Sequence, residues 1–334
     1  MGGSEEQADR RFWEALLEYE NYLVFLIIPL FSAVLLASVD EPLSYWVNLW
    51  WMFPVGLAIS TVVNMVGISG AALFVPFFIL IFPIFAFDLH PEQSVRLGLI
   101  IESFGLGSAA LAFLRYRLED KRLGLLSVLS AAPFVVSGAL LAFIIPPRLF
   151  NYAIAAALIA AVVLLNRSDR AISKRACIDE DVIGAHHKGR SDNVTLVDRD
   201  GREYRYCRHG FFKRSVYYGF GGLFHGLAGF GAGEMGVTSM VVTGIPIRVA
   251  IGTSHIVVAA SSVIASASHL SQSSAHGLGT PWNVLFVVVP AVIIGGQISP
   301  LIAVRVRSQA LELLVSALLV VLAAALAYLG ATAA

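Results

Sequence analysis

Long apolar runs, broken by short polar or Gly/Pro-containing stretches, dominate the chain. Two of them, 21–39 and 45–87, carry no charged residue. Because a helix needs about 20 apolar residues to cross a bilayer, these runs predict membrane-spanning helices. The runs lack alternation of period two, which favours helices over a closed barrel. The breaks delimit spans near 22–39, 45–66, 70–87, 96–114, 123–145, 149–165, 214–229, 233–244, 249–269, 282–304 and 308–329.

Composition supports the same class of protein. Of the 334 residues 57% are hydrophobic and 14% are charged, against roughly 25% charged residues in soluble domains. Eight charged residues fall in 1–20 and twenty in 166–214, so the rest of the chain is almost free of charge. This excludes a soluble enzyme, a nucleic-acid binder and a fibrous protein. We predict an all-α, polytopic helical integral membrane protein of the cell membrane, in lipid and without a nucleic-acid partner.

The basic residues predict the orientation of the chain in the membrane. Four of them lie in 115–122 and twelve of the 23 lie in 166–214, and short loops rich in Lys and Arg stay on the cytoplasmic side. Alternation of the spans then places the N-terminus and 166–212 in the cytoplasm and loop 270–281 outside. A cleavable signal peptide is not expected, because 1–20 is polar and mostly acidic.

Four parts follow from this organisation. They are 1–44, a cytoplasmic N-terminus plus an extra helix; 45–165, a first transmembrane repeat; 166–212, a cytoplasmic insert; and 213–334, a second transmembrane repeat.

The insert contains a hairpin signal, because Asp200-Gly201 stands between two short alternating runs. Cysteines in the reducing cytoplasm are not expected to form a disulfide. Zinc ligation is one interpretation, although the spacing matches no standard finger, and a small solvated linker domain is the other. We predict no cofactor and no metal site. The residues that the zinc interpretation would use are Cys177, Cys207, His186, His187 and His209.

Glycine-rich stretches interrupt two of the apolar runs, at 64–76 and 226–236. Superposing Gly67 on Gly229 places Ser69 on Gly231. The predicted orientation sends 45–66 inward and 214–229 outward, so the two halves are expected to be inverted-topology repeats with Gly-broken helices. Segment 233–244 is too short to span a bilayer and is expected to form a half-helix or re-entrant hairpin. Repeat-related breaks of this kind mark substrate sites near the midplane of secondary transporters.

Each break frees backbone N–H groups at the start of the next half-helix, where an anion is the favoured guest. Close helix packing through small residues, such as Gly222 and Gly226, is the alternative role for these glycines. The candidate substrate-binding residues are Asn64, Gly67, Ser69, Gly70, Ser103, Gly229, Gly231, Gly233, Thr253 and Ser254.

Four ionisable residues inside the predicted spans are candidates for proton coupling: Glu234, Glu102, His225 and His255. An ionised Glu234 would repel an anion, so its protonated form suits an anion site. Alternatively, Glu234 accepts hydrogen bonds from freed N–H groups and holds the break open. The two histidines are candidates for packing as well. Arg96 and Arg248 lie at span ends, where they either snorkel to the interface or attract the anion.

Several Gly- and Pro-containing segments recur across the two halves: Gly67–Pro76, Gly229–Gly233 followed by Gly244–Ser254, and Pro281–Asn283 with Gly295–Gln297. In these segments the sequence resembles the sulfite exporter TauE/SafE family of membrane transporters, and the resemblance covers about 50–330 apart from the insert. Glu102-Ser103 replaces the family's usual Thr-Ser pair. Membership implies transport of a small sulfur-containing anion, such as sulfite or an organosulfonate, across the cell membrane.

The leading hypothesis is therefore a proton-coupled secondary transporter that works by alternating access. An anion channel or receptor gated by 166–212 is the first alternative. An intramembrane metal-dependent enzyme using His225, Glu234 and His255 is the second, but no H-E-x-x-H, G-x-S-x-G or P-loop pattern supports it, so we predict that the protein is not an enzyme. The driving ion, the direction of transport and the oligomeric state stay open.

Overall fold

A computed structural model describes residues 23–66, 68–114, 117–175, 193–199, 201–208, 210–303 and 308–332. Helices dominate these residues. In the first half they are α1 (Leu23–Ser38), α2 (Leu43–Val47), α3 (Met52–Val66), α4 (Ala71–Pro76), α5 (Phe82–Phe85), α6 (Pro91–Leu114), α7 (Lys121–Ala142) and α8 (Pro147–Arg175), and a π-helical turn, Phe77–Ile81, joins α4 to α5. In the second half they are α9 (Phe211–Ala228), α10 (Ala232–Val242), α11 (Ile247–Ala275), α12 (Trp282–Ala303) and α13 (Ser308–Thr332).

Four of the described helices are long and apolar enough to cross a membrane: α6, α7, α11 and the Trp282–Ser299 part of α12. Shorter apolar helices accompany them on both sides of the insert. The predicted all-α polytopic class is confirmed.

Two helix starts differ from the sequence prediction because local capping and turns set them. The predicted span 45–66 is divided, since α2 ends at Val47 and a turn separates it from α3. Helix α6 begins at Pro91, five residues earlier than expected. Proline suits a first helical position, and the Gln93 side chain accepts a hydrogen bond from the His90 N–H at 2.9 Å. Polar residues therefore form the first turn of α6.

Helix packing follows one pattern in the two halves. Helix α3 packs against α12, and α7 packs against α9. When the halves are exchanged, with α3 matched to α9 and α7 to α12, each of these pairs becomes the other. Helices α6 and α11 pack together, as do α8 and α13, and these pairs map onto themselves. This is the pattern expected of two structurally equivalent halves; their inverted orientation in the membrane stays a prediction.

Glycine allows the closest of these approaches. A Cβ atom built on Gly226 of α9 would collide with the Val135 carbonyl of α7, and one on Gly138 of α7 would collide with the Leu223 carbonyl of α9. Gly226 therefore serves helix packing, the alternative role considered for the Gly222/Gly226 pair.

A two-stranded antiparallel hairpin, β1 (Asn193–Val197) and β2 (Glu203–Cys207), lies at the predicted place in the insert. Gly201 has φ of 82° in the turn. The Asp198 side chain accepts a hydrogen bond from the Arg202 N–H at 2.8 Å and stabilises the turn. The registered pairs include Val194 with Tyr206 and Leu196 with Tyr204.

Candidate functional site

The two glycine-rich breaks meet inside the helix bundle. The first break, residues 68–70, joins α3 to α4, and the second, residues 229–231, joins α9 to α10. The hydroxyl of Ser69, which is fully buried, lies 2.9 Å from the Gly229 carbonyl oxygen. Segments 160 residues apart in sequence therefore form one junction between the halves.

The second break depends on glycine. Gly229 ends α9 in the left-handed region with φ of 87°, and its N–H donates to the His225 carbonyl at 2.8 Å. Gly231 precedes α10 with φ of 119°, and a Cβ there would lie 3.1 Å from the Phe224 Cβ. A side chain at Gly231 is thus disfavoured both by the backbone conformation and by the space.

Glu234 bridges the two breaks through both oxygens of its carboxyl group. Oε1 accepts a hydrogen bond from the Ser69 N–H at 3.2 Å, and Oε2 accepts one from the Gly231 N–H at 3.0 Å. Ser69 and Gly231 are equivalent in the superposition of the two breaks. One carboxyl group therefore binds the matching N–H groups of both halves, and this pair of acceptor contacts suits an ionised carboxylate.

Glu102 of α6 binds the first break at Ser69 and Gly70. Its Oε1 accepts a hydrogen bond from the Gly70 N–H at 2.9 Å and is also in short contact with the Ser69 hydroxyl. The Ser69 hydroxyl has only one proton, and the Gly229 carbonyl can accept it. If the Ser69 hydroxyl donates its proton to the Gly229 carbonyl, then a proton on Glu102 is the donor in the short contact between Ser69 and Glu102. The junction thus offers a place for a shared proton next to Glu234.

His225 and Ser262 extend the polar cluster between α9 and α11. The Ser262 hydroxyl donates to the Val258 carbonyl at 2.8 Å, so the His225 Nε2–H is the donor in their 3.0 Å contact. His225 Nε2 lies 4.0 Å from Glu102 Oε2. His269, also fully buried, contacts the Gly226 carbonyl through Nε2 at 2.8 Å.

Sequence reasoning missed Ser262 and His269. Ser254, Ser262 and His269 are spaced by eight and seven residues along α11, which places them on one helix face. That spacing of polar residues within an apolar span was the available signal.

Ser254 closes the cluster near α10, because its hydroxyl donates to the Gly233 carbonyl at 3.3 Å. A small pocket lies beside Gly231 and Glu234. Its other walls are Ala157, Ala160 and Ala161 of α8 together with Phe224 and Met235. The pocket thus separates part of α8 from Gly231 and Glu234.

Nine of the residues predicted for binding or coupling meet at this junction, and they come from the breaks and from α6, α9, α10 and α11. They are Ser69, Gly70, Glu102, His225, Gly229, Gly231, Gly233, Glu234 and Ser254. Gly67 lies outside the described residues.

Four other candidates bond elsewhere. Asn64 donates to the Ser60 carbonyl at 2.8 Å, within α3, and Ser103 donates to the Ile100 carbonyl at 2.7 Å, within α6. The Thr253 hydroxyl accepts a hydrogen bond from the Asp120 N–H at 3.0 Å, in the loop before α7. His255 contacts the Ile251 carbonyl at 2.8 Å and stacks near the Phe113 ring, which is the packing role.

The two arginines differ in their surroundings. Arg96 is fully buried, and its Nη2 donates to the Gly279 carbonyl at 2.6 Å, so its guanidinium does not snorkel to solvent. Arg248, in the first turn of α11, is exposed. Neither guanidinium reaches the junction between the breaks.

The zinc interpretation of the insert falls largely on residues that the structure does not describe. Cys177, His186, His187 and His209 all lie outside the described ranges. Within those ranges, no group of three or more His, Cys, Asp or Glu side chains is arranged to hold a metal ion.

Comparison with known proteins matches the chain to one protein family and to a relative from Bacillus subtilis. Residues 52–326 match the family described as "Sulfite exporter TauE/SafE". The chain is 25% identical over 281 residues to the "Probable membrane transporter protein YunE" of Bacillus subtilis (strain 168), a match that covers 82% of this chain and 96% of that protein. No solved structure matches the chain.

Proposed function

Because the chain belongs to the sulfite exporter TauE/SafE family of membrane transporters, we propose that it carries a small sulfur-containing anion, sulfite or an organosulfonate, across the cell membrane. The two helical halves would alternate in exposing the junction between the breaks to either side of the membrane. The N-terminus and 166–212 face the cytoplasm in this proposal, as the basic residues predict.

One observation carries the choice of an anion. The Ser69 and Gly231 N–H groups both point at the carboxyl group of Glu234. Free N–H groups at helix starts bind anions, and here a side chain of the protein itself occupies the position that a substrate anion would take. A small pocket lies beside this position, between α8 and the second break.

Glu234 and the substrate would therefore compete for the same two N–H groups. An ionised Glu234 holds them and repels a second negative charge. Protonation removes that charge and weakens the two hydrogen bonds, so the substrate anion can take the Glu234 position. Anion binding and proton binding thereby favour each other, and this coupling is reciprocal. The anion and the proton would move together through the membrane.

The neighbouring polar groups give the proton a route. Glu102 contacts Ser69 at the junction, and His225 lies next to Glu102. Chains of neighbouring Glu and His side chains relay protons in transporters. Arg96 and Arg248, at opposite ends of the bundle in the predicted orientation, would favour anions in the two vestibules.

Flux measurements in sealed proteoliposomes test the proposal. Purified protein should exchange internal unlabelled sulfite for external labelled sulfite with saturation, and an inward proton gradient should accelerate net uptake. Methanesulfonate should inhibit the exchange if sulfonates share the site. A large ohmic current without saturation would instead indicate a channel, and chemical conversion of the anion would indicate an enzyme.

A further inference from the structure

The hairpin of the insert binds the membrane helices through the carboxylate of Asp120. Arg208, directly after β2, donates to Asp120 through Nε at 2.7 Å and through Nη2 at 2.8 Å. The Tyr206 hydroxyl donates to the same carboxylate at 2.8 Å. The Asp120 side chain is fully buried, whereas 23% of the Arg208 side chain is exposed. Such a two-pronged, largely desolvated pair is stronger than a surface ion pair.

Asp120 also joins the two halves of the bundle. Its side chain accepts a hydrogen bond from the Leu123 N–H at 3.0 Å and so caps α7 of the first half. Its own N–H donates to the Thr253 hydroxyl of α11, in the second half. Burial by itself would raise the pKa of Asp120, but hydrogen bonds from Arg208, the Leu123 N–H and Tyr206 together hold that pKa below its usual range. Asp120 is therefore ionised at neutral pH.

Arg214 of α9 connects Arg208 to the end of α10. Its Nη2 donates to the Arg208 carbonyl at 2.6 Å, and its Nη1 donates to the Thr243 hydroxyl at 3.1 Å. We call Asp120, Thr253, Tyr206, Arg208 and Arg214 the inner clasp. The inner clasp links the insert, the loop before α7, and helices α9 and α11 of the second half, and Arg214 connects it to Thr243 at the end of α10.

A related joint lies at the opposite end of the bundle. There, Arg96 and Gln93 in the first turns of α6 both donate to the Gly279 carbonyl, at 2.6 and 2.8 Å, in the loop between α11 and α12. When the halves are exchanged, α6 corresponds to α11 and the α11–α12 loop corresponds to the α6–α7 loop. The contact of α6 with Gly279 therefore corresponds to the contact of α11 with Asp120. The charge pattern places the Gly279 loop outside and the Asp120 loop inside. Each joint thus holds a first-half segment to a second-half segment on one side of the membrane.

We propose that the hairpin is a latch on the cytoplasmic gate: the inner clasp must open before the junction between the breaks becomes accessible from the cytoplasm. This inference rests on the proposed alternating access. The physical reason is that separating the second half from the loop before α7 pulls Thr253 and Asp120 apart. Arg208 resists this separation because it binds Asp120 while its carbonyl is held by Arg214 of α9, and Tyr206 adds a further bond to Asp120. Weakening the hairpin contact should therefore favour the cytoplasm-open state.

Alkylation of a single thiol measures this opening. Ser254→Cys is introduced into a protein in which Cys177→Ser and Cys207→Ser remove the two native thiols. Position 254 is buried next to Thr253 and contacts Gly233, between the clasp and the junction. A membrane-impermeant maleimide is added to the cytoplasmic face of inside-out vesicles. Arg208→Gln should raise the alkylation rate by about tenfold, the effect expected when a charge-assisted hydrogen-bonded pair is lost. Tyr206→Phe should raise it by a smaller factor.

Arg205→Gln is the matched control. Arg205 lies on the same strand as Tyr206, is 71% exposed in its side chain and pairs with Glu203, so this variant should leave the alkylation rate unchanged. An unchanged rate in both Arg208→Gln and Tyr206→Phe, in proteins that are folded and inserted in the membrane, would overturn the latch. The assay needs no substrate, so a lack of anion flux in the wild-type protein counts against the proposed function and leaves the alkylation result to decide the latch.

Discussion

At the scale of single residues, Glu234 was identifiable from the sequence, but its partner was not. A carboxylate within a glycine-rich break predicts a group that either caps freed N–H groups or carries a proton. The structure shows the capping contacts and adds that one of them crosses 165 residues to Ser69. No periodicity or local motif encodes a contact of that separation, because it depends on how the two halves pack.

Thr253 and Ser103 lie away from the junction between the breaks, although the sequence grouped them with its residues. Both are small polar residues near the motifs, yet their hydroxyls bond at the inner clasp and within α6. In a membrane helix, a serine or threonine hydroxyl readily bonds a nearby carbonyl or loop N–H. Residue type and proximity in sequence therefore could not separate the residues of the junction from those that stabilise the helices.

Glu119, in the loop before α7, gives a test of stability at this scale. Burial raises its pKa from 4.5 to about 8, with a smaller opposing effect of Lys121. Because the folded state binds this proton more tightly than the unfolded state, Glu119 removes stability progressively as the pH rises from about 4.5 to about 8. Glu119→Gln should thus raise the melting temperature at about pH 8.5 by a few degrees and change it little near pH 4.5. Differential scanning fluorimetry of the detergent-solubilised protein measures this.

Glu41→Gln, which changes an exposed side chain before α2, serves as the control for that experiment and should change the melting temperature little. An equal effect of Glu119→Gln at both pH values would show that folding does not raise the pKa of Glu119.

At the scale of helices, the apolar pattern located most elements, and capping explains the differences. Helix α10 was expected at 233–244 and spans Ala232–Val242. The early start of α6 depends on Pro91 and on the Gln93 cap, and the turn between α2 and α3 depends on local backbone geometry. Hydrophobicity indicates which residues lipid or a core can accept, but helix ends follow from hydrogen bonds of individual residues.

The two breaks should respond differently to a single methyl group. Gly70 has a right-handed helical φ of −63°, and a Cβ there would lie 3.8 Å from Val63, at ordinary contact distance. Gly70→Ala should therefore retain anion exchange. Gly231→Ala forces a side chain into φ of 119°, at a cost of about 1 to 3 kcal/mol, and displaces the N–H that Glu234 binds. Exchange should fall at least about tenfold in that variant.

Leucine is expected to abolish exchange at either position, because its longer side chain would occupy the space beside the carboxyl groups. Exchange in proteoliposomes, normalised to the amount of protein inserted, distinguishes these variants. Wild-type exchange by both leucine variants would mean that the glycines serve packing alone.

At the scale of the whole molecule, the sequence predicted two hydrophobic halves around a polar insert, and the packing of α3 on α12 and of α7 on α9 agrees with equivalent halves. What could not be predicted is the attachment of the insert. The hairpin was recognisable from Asp200-Gly201, but Arg208 was one basic residue among twelve in 166–214. Its selection by Asp120 depends on tertiary structure.

The orientation of the halves has a direct test. Ser274 is exposed near the end of α11, in the segment that the basic residues place outside. A thiol introduced by Ser274→Cys, with both native cysteines replaced, should react with an impermeant maleimide in intact cells. A thiol introduced by Thr195→Cys, exposed on β1, should react only after permeabilisation. The reverse labelling pattern would contradict the predicted orientation, and labelling of both thiols from the same side of the membrane would contradict the inverted-repeat interpretation.

The central claim is that substrate and the ionised Glu234 compete for the Ser69 and Gly231 N–H groups. Isothermal titration with methanesulfonate, in buffers of different ionisation enthalpy, measures the protons taken up per anion bound. The wild-type protein should take up close to one proton and bind more tightly as the pH falls. Glu234→Gln should take up none and bind with an affinity independent of pH, whereas Glu102→Gln should keep the pH dependence. Wild-type proton uptake and pH dependence in Glu234→Gln would contradict the account and move the coupling group to Glu102, His225 or His255.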